Sequence, residues 1–194
     1  MKTPLACLLS CCALAASSHA ATVLADRIIV TNSVINNGTT VATHWAEVQA
    51  FQQGSGTNVA AGLNGGTATA SSTGWGTSPS WANDGNTDGA FGSNSSWHDN
   101  DGQGGGAEPD VFTVIFSAPV LVDSFNIHGR NDCCPERDDV FQVEFYNGAT
   151  LVASQSAGIG ASFSTGLTPI IPETSVTAVV LFALGALSLR RHRA

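Results

Sequence analysis

Basic residues are scarce in this chain, and their scarcity argues against nucleic acid as a partner. Lysine and arginine together number seven among the 194 residues, against fifteen aspartates and glutamates. Four of the seven lie close to the two ends, which leaves three arginines between residues 21 and 172: Arg27, Arg130 and Arg137. The same range holds fourteen acids, so its formal charge is −11. Because no basic patch can neutralise phosphates, the composition favours calcium ions or neutral sugars as ligands.

Long helical patterns are also absent, which argues against a helical domain. Only 11% of the residues are charged, and 21 are glycine. Short apolar runs alternate with clusters of Gly, Asn, Ser and Thr, as is typical of an all-β sandwich. The length suits one such domain, expected over residues 21–168. Strands are predicted at residues 27–30, 41–51, 111–116, 121–128, 140–146, 151–154 and, weakly, 161–167, with turns at 36–39 and 147–148.

The first 20 residues have the pattern of a signal peptide. Lys2 is followed by an apolar run and then by Ser18-His19-Ala20, a small-x-small cleavage site. A lipoprotein anchor at Cys11 is the alternative interpretation. Both patterns predict export of the chain.

The opposite end resembles a bacterial sorting signal. Pro172-Glu173 precedes an apolar run at residues 176–189, and an arginine cluster follows that run. The run is shorter than the roughly 20 residues of a comfortable membrane span. Residues 170–194 resemble the PEP-CTERM signal read by exosortases, which implies a short transmembrane helix, transient anchoring in the inner membrane with the arginines inside, and a final location at the cell surface or in the extracellular matrix. The alternatives are an ordinary tail anchor and a buried helix.

Cysteine is almost absent from the central region. Three of the five cysteines precede the predicted cleavage site, so only Cys133 and Cys134 remain. Exported proteins meet an oxidising compartment, and this pair is therefore expected to form a disulfide. Adjacent Cα atoms are about 3.8 Å apart, below the ~4.4 Å at which ordinary disulfides begin, so the ring would be small and would close no long loop. A redox or metal-binding cysteine pair is the alternative, although adjacent cysteines fit zinc spacing poorly.

Two of the three central arginines flank this pair. The guanidinium groups of Arg130 and Arg137 are planar forks of donors that suit hydroxyl or carboxylate oxygens, and Asp132 can hold one of them in place. The pattern Arg130-x-Asp132-Cys133-Cys134-x-x-Arg137 resembles the sugar-binding loop of F-type lectins, the fucose-binding branch of the discoidin (coagulation factor 5/8 type C) family. The alternative is two unrelated surface arginines.

The resemblance implies a jelly-roll β-sandwich of the galactose-binding-like kind, with a sugar site that performs no catalysis. In that family a histidine and two arginines hold the sugar hydroxyls, and a vicinal disulfide packs against the ring. His98 falls at the position of that histidine, and Phe91 would pack on the apolar edge of the sugar, opposite the disulfide. The acidic, glycine-rich segment from residue 99 to residue 110 is longer here than in the family. Taken alone, a histidine is more often structural than a ligand.

The same resemblance implies a calcium ion beside the sandwich. The family holds it with a loop like the one that begins at Asp84-Gly85-Asn86 and with a glutamate on its last strand. Carried over residue by residue, side-chain oxygens would come from Asp84, Ser95 and Glu47, and backbone carbonyls from Asn86, Trp81 and Ala46. Calcium takes six to eight such oxygens. The alternative is an Asx-rich turn that binds no metal.

The order of the resembling segments is unusual. Residues 44–51 resemble the last strand of discoidin domains and residues 27–30 the strand before it, whereas residues 58–72 resemble the beginning of the domain. We therefore expect a circular permutation in which residues 26–51 supply the final strands, because the termini of domains often lie close together. The alternative is a truncated domain behind an unrelated hairpin.

These observations predict a secreted or cell-surface protein that binds fucose-like glycans and is stabilised by calcium. Monosaccharide sites are shallow, so multivalent display, for example in an oligomer, would be needed for useful affinity. Other expected partners are the exosortase-type sorting machinery and, transiently, the membrane. The alternatives are a structural or adhesion scaffold of the extracellular matrix with a degenerate sugar site, and a hydrolase using Glu136 and Asp138, for which no nucleophile–base spacing is evident.

Overall fold

A computed structural model describes residues 22–32, 35–36, 39–40, 43–92, 94–100, 109–133, 141–157 and 162–166. In these ranges the chain has an all-β fold with two short 3₁₀ helices, at Gly62–Asn64 and Pro79–Ala82. The strands are β1 (Val23–Asn32), β2 (Ile35–Asn36), β3 (Thr39–Thr40), β4 (His44–Gln52), β5 (Thr67–Ala70), β6 (Trp97–His98), β7 (Asp110–Gly129), β8 (Phe141–Asn147), β9 (Thr150–Ala157) and β10 (Ser162–Gly166).

Both predicted end segments, residues 1–20 and 170–194, lie outside the described ranges. Within those ranges, no helix is long and apolar enough to cross a membrane.

Most predicted strands overlap observed ones. The predicted strands 27–30, 41–51, 140–146, 151–154 and 161–167 correspond to β1, β4, β8, β9 and β10. The turn predicted at residues 147–148 joins β8 to β9, and Gly148 adopts the positive φ of 57° that such a turn requires. The prediction of separate strands at 111–116 and 121–128 is wrong, because both belong to the single long strand β7.

A bulge explains why β7 resembles two strands in the sequence. Arg27 of β1 pairs with Ile115, but Ala25 pairs with Val120, so four residues of β7 stand opposite one residue of β1. Pro119, which cannot donate to a β ladder, lies within this bulge. β1 and β7 therefore pair on both sides of the bulge, and their register changes across it.

Strand β7 connects the two halves of an antiparallel sheet. The strand order is β6-β4-β7-β1-β8-β9, and β5 and β10 also pair with β7. Before the bulge β7 pairs with β1 and β5; after it β7 pairs with the first residues of β1 at 120–122 and, from residue 122 onward, with β4 and β10. β7 is therefore an inner strand on both sides of the bulge.

The two halves of this sheet pack face to face. Trp45 of β4 meets Phe141 of β8 with ring centroids 5.1 Å apart, and Phe125 of β7 meets Phe145 of β8 at 5.8 Å. In a flat sheet β4 and β8 would be about 14 Å apart, because two strands separate them. The sheet must therefore fold over, and the buried side chains form a core between its two layers: Ile28, Val30, Trp45, Val48, Phe112, Val114, Phe125, Ile127, Phe141, Val143 and Phe145.

The first two long strands are integral parts of this sheet. β1 lies between β7 and β8, and β4 lies between β6 and β7. An independent hairpin at residues 26–51 would pair these strands with each other, whereas each of them pairs with β7.

Candidate functional site

Strand pairing brings His98 and Arg130 to the same end of the sheet. β6 pairs with the start of β4, where His44 stands opposite His98 and Trp45 opposite Trp97. On its other side Trp45 pairs with Gly129, the last residue of β7, and Arg130 follows directly. Two predicted sugar-binding residues thus lie on opposite sides of β4.

Arg130 is fixed between an aromatic ring and a carboxylate. Its guanidinium carbon lies 4.5 Å from the centroid of the Phe91 ring. The Arg130 Nε and Nη2 atoms donate to the two Asp132 carboxylate oxygens at 2.5 and 3.3 Å. These hydrogen bonds from Arg130 are the main reason that the pKa of Asp132 lies below its usual value. The stacked ring and the two-pronged ion pair hold the guanidinium in one orientation.

The loop that carries Phe91 is attached to the segment after β7. Asp132 accepts a hydrogen bond from the Phe91 amide at 3.1 Å, and the Asn131 amide donates to the Gly89 carbonyl at 3.3 Å. A Cβ atom at Gly89 would lie 2.6 Å from the Gly129 carbonyl oxygen, so only glycine permits this approach. The sequence predicted that Asp132 could hold one of the two arginines, and this arginine is Arg130. It did not indicate that Asp132 also holds Phe91.

His98 is nearly enclosed, with 3% of its surface exposed. Its ring lies beside those of Phe91 at 6.1 Å, Trp75 at 5.7 Å and His44 at 5.5 Å, measured between centroids. Its Nδ1 lies 3.1 Å from the Asp99 carbonyl oxygen. A sugar hydroxyl would therefore have to meet Nε2, and only a small part of the ring is open to it.

Trp75 is the member of this cluster that the sequence did not reveal. It is 47% exposed, and its ring lies 6.5 Å from that of Phe91, which is itself 39% exposed. The available signal was a tryptophan placed between two glycines, Gly74 and Gly76, where a turn would normally carry small or polar residues.

Two predicted site residues, Arg137 and Cys134, lie outside the described ranges. Cys133 lies within them and is disulfide-bonded. Its predicted pairing with Cys134 stays a prediction, as does the place of Arg137 in the site.

Glu47, the predicted calcium ligand on β4, is a buried carboxylate. Its Oε1 accepts a hydrogen bond from the Gly85 amide at 3.2 Å, whereas Oε2 is buried and has no partner in normal hydrogen-bond geometry within the described ranges. Burial, followed by the negative charge of Asp84, raises the pKa of Glu47 from 4.5 to about 8, although the nearby Gly85 and Asp84 amides and the Asn58 side chain oppose the rise. Burial therefore favours the protonated, neutral form of Glu47, unless a neighbouring cation stabilises the carboxylate.

The loop facing Glu47 is a series of Asx turns. Asp84 accepts from the Asn86 amide at 2.7 Å, Asn86 from the Asp88 amide at 3.0 Å, and Asp88 from the Ala90 amide at 3.3 Å. The Ser95 hydroxyl donates to the Ala90 carbonyl at 3.3 Å. The loop is therefore rich in Asx turns, a pattern shared by the expected metal loop and by its alternative without a metal, and the bond to the Asn86 amide uses one of the two Asp84 carboxylate oxygens.

The predicted calcium residues fit such an ion by their chemistry. Ala46 adjoins Glu47 in β4, and Trp81 lies in the 3₁₀ helix just before Asp84. Glu47 and Asp84 supply two carboxylates whose mutual repulsion a divalent cation would relieve, and the remaining predicted ligands are neutral oxygens. In the described part of the chain, no three or more His, Cys, Asp or Glu side chains gather in a way that could hold a metal ion. The predicted set contains only two such side chains.

The ends of the expanded segment between residues 99 and 110 are anchored by buried carboxylates. Asp99 accepts from the Thr43 amide, and Asp110 accepts from the Ser72 hydroxyl at 2.9 Å. Burial alone would raise the pKa of Asp99, but its hydrogen bonds with His98, with Asp110 and with the Thr43 amide hold it below its usual value. The base of the segment, next to His98, is thus a fixed part of the fold.

Comparison with protein family models, curated proteins and solved structures finds no match to this chain.

Proposed function

We propose that the chain is an exported carbohydrate-binding protein that recognises fucose-like sugars without catalysis. The observation that carries this proposal is the convergence of Arg130, Phe91 and His98 at one end of the sheet. These residues come from three separate segments, and together they offer guanidinium donors, an exposed apolar ring edge and an imidazole. Sugars are bound by such combinations of planar donors and aromatic surface.

Each residue has a distinct part in the proposed binding. Arg130 would donate to hydroxyl or ring oxygens from a position that Asp132 and Phe91 hold fixed. Phe91 would cover the apolar edge that a deoxy sugar presents. Nε2 of His98 would meet a hydroxyl at the floor of the site. By the family resemblance, Arg137 would add a second fork of donors and the Cys133–Cys134 disulfide a stiff opposite wall.

Calcium has a structural part in this proposal. The ion would be held by Glu47 and Asp84 with oxygens of Ser95, Asn86, Trp81 and Ala46, which link the 81–95 loop to β4. That loop continues to Phe91, so calcium would hold the sugar site in shape. The Oε2 atom of Glu47 supports this assignment, because it is buried and has no hydrogen-bond partner in the part of the chain that the structure describes.

The proposal includes a fold family and a cellular location. A discoidin-like jelly roll with residues 26–51 as its final strands is consistent with the direct pairing of β1 and β4 with β7. Export through the predicted signal peptide and the PEP-CTERM-like tail would place the domain at the cell surface or in the extracellular matrix.

A second candidate function is an adhesion or structural scaffold whose sugar site is degenerate. The burial of His98 and the use of Arg130 donors by Asp132 favour it, because both features reduce what a sugar can contact.

Binding to a panel of immobilised glycans, measured with calcium and with a chelator, distinguishes the lectin from the scaffold. Calcium-dependent binding of fucosylated glycans is the result expected of the lectin. Calcium-dependent stability without binding to any glycan would favour the scaffold.

A further inference from the structure

Trp75 occupies a backbone position that its side chain disfavours. Gly74, Trp75, Gly76 and Thr77 form a turn closed by a hydrogen bond from the Thr77 amide to the Gly74 carbonyl at 3.0 Å. The central residues have positive φ angles of 57° at Trp75 and 70° at Gly76. Turns of this kind favour Asn-Gly or Asp-Gly, because bulky residues are strained at positive φ. The turn itself therefore disfavours tryptophan in the first central position, and an interaction outside the turn must account for its presence there.

The turn is attached to the backbone of His98. The Gly74 amide donates to the His98 carbonyl at 2.9 Å, and the Thr77 hydroxyl accepts from the His98 amide at 3.0 Å. A Cβ atom at Gly74 would lie 2.3 Å from the Asp99 carbonyl oxygen, so the close approach requires glycine. These contacts fix the position of Trp75 relative to His98.

The indole extends the row of aromatic and cationic groups at the proposed sugar site. The Phe91 ring contacts Arg130 and also lies beside Trp75, and both aromatic rings border His98. Trp75 is the most exposed of the three rings, although burying it would be favourable. A half-exposed indole that is held rigidly beside a site offers a flat apolar surface at little entropic cost.

We propose that Trp75 is a second contact surface, which stacks against the ring joined to the terminal sugar. The inference rests on the proposed function and deepens it, because it makes the preferred ligand the end of an oligosaccharide. Sugar rings have an apolar C–H face that suits an indole. Binding of the second sugar ring by the indole then explains why a tryptophan occupies this strained position.

The test compares free L-fucose with an L-fucosyl-galactose disaccharide by titration calorimetry on the full chain. Trp75→Asn removes the ring and gives the turn the residue it prefers, so the melting temperature should stay equal or rise. Affinity for the disaccharide should fall about tenfold, while affinity for free fucose should change less than twofold. Trp75→Phe keeps an aromatic face and should lose less. Leu63→Ala, which truncates another exposed apolar side chain, is the control and should change neither affinity.

Fluorescence gives an independent reading of the same contact. Of the four tryptophans, Trp45 and Trp97 are buried and Trp81 is half-buried. All three remain in Trp75→Phe, so the part of an emission change on adding the disaccharide that this variant loses comes from Trp75.

The possible failures are distinguishable. A wild-type protein that binds neither sugar overturns the lectin function and this inference together. Binding that is lost in Arg130→Ala but unchanged in Trp75→Asn for both sugars overturns the Trp75 contact alone. Equal losses for both sugars in Trp75→Asn would mean that Trp75 only positions His98, which also overturns the second contact.

Discussion

The guanidinium of Arg130 lies over the ring of Phe91 at 4.5 Å, although the two residues are 39 positions apart in the sequence. Asp132 stabilises the arrangement from both sides, because its carboxylate accepts from the Arg130 side chain and from the Phe91 amide. A charged donor and an apolar ring are thereby presented side by side at the surface. This pair is the centre of the proposed sugar site, and the first prediction addresses it.

Arg130→Ala should abolish detectable fucose binding. Loss of one charge-assisted donor from such a site costs roughly 1–3 kcal/mol, or about five- to hundred-fold in affinity. Arg137→Ala should behave in the same way if the family resemblance holds. The melting temperature should stay near wild type in both variants; for Arg130→Ala the reason is that its partner Asp132 is exposed, and ion pairs open to solvent contribute little.

The matched control for these variants is Arg27→Ala. Arg27 lies over the Tyr146 ring at 4.8 Å, so this change also removes a stacked guanidinium, but on β1. Titration calorimetry should find fucose affinity unchanged in it. Retained binding in both Arg130→Ala and Arg137→Ala would contradict the lectin mechanism.

Calcium should raise the melting temperature of the wild-type protein, because a ligand that binds only the folded state stabilises it by mass action. Glu47→Ala should remove most of that rise, and Asp84→Asn should reduce it. Asp123→Asn removes a carboxylate of β7 that bonds to the Ser124 hydroxyl, and it should keep the full response. Differential scanning calorimetry with calcium and with a chelator measures these shifts. An undiminished rise in Glu47→Ala would show that the calcium site and the placement of β4 as the family's last strand are both wrong.

The pH dependence of stability should report the buried carboxyl group of Glu47. In the chelated protein its pKa is about 8 when folded, against an ordinary value of 4.5. Between these values the folded state binds a proton that the unfolded state has lost. The free energy of unfolding should therefore fall as pH rises from 4.5 to 8, with a contribution of about 1.4 kcal/mol per pH unit from this group.

Glu47→Gln keeps the shape of this side chain and does not titrate, so it should flatten that part of the profile. Denaturant unfolding at pH 5, 6, 7 and 8 in chelator provides the measurement. Identical slopes in the variant and the wild type would contradict the assignment of the shifted pKa to Glu47.

Cys133 and Cys134 should be joined to each other in the exported protein. Cys133 is disulfide-bonded, and no other cysteine remains after the predicted cleavage. Mass spectrometry of the intact mature chain should find a monomer mass and no free thiol. A disulfide-linked dimer, or two thiols that react with an alkylating reagent, would remove the stiff wall from the proposed site.

Much of the strand pattern could be predicted from the sequence alone. Short apolar runs such as residues 140–146, followed by Asn147-Gly148, predict a strand and a turn through neighbouring residues only. The Arg130–Asp132 ion pair is local in the same sense, since a single residue lies between its members. The wrong prediction of two strands in place of β7 also came from neighbouring residues alone. Pro119 is typical of a strand end, and only the pairing with β1 shows that the strand continues past it.

The rest of the site depends on which strands lie side by side. Glu47 meets Gly85, Phe91 meets Arg130, and Trp75 meets His98 because β4 pairs with both β6 and β7. Backbone hydrogen bonds of that kind are similar for every strand, so the sequence does not say which partner is chosen. The packing of the two layers around Trp45 and Phe125 decides which strands lie next to each other. The sequence by itself determined most of the strands, the turn after β8 and the local pairing of Asp132 with an arginine. The tertiary structure determined which distant side chains meet, because only burial of the whole core fixes the order of the strands.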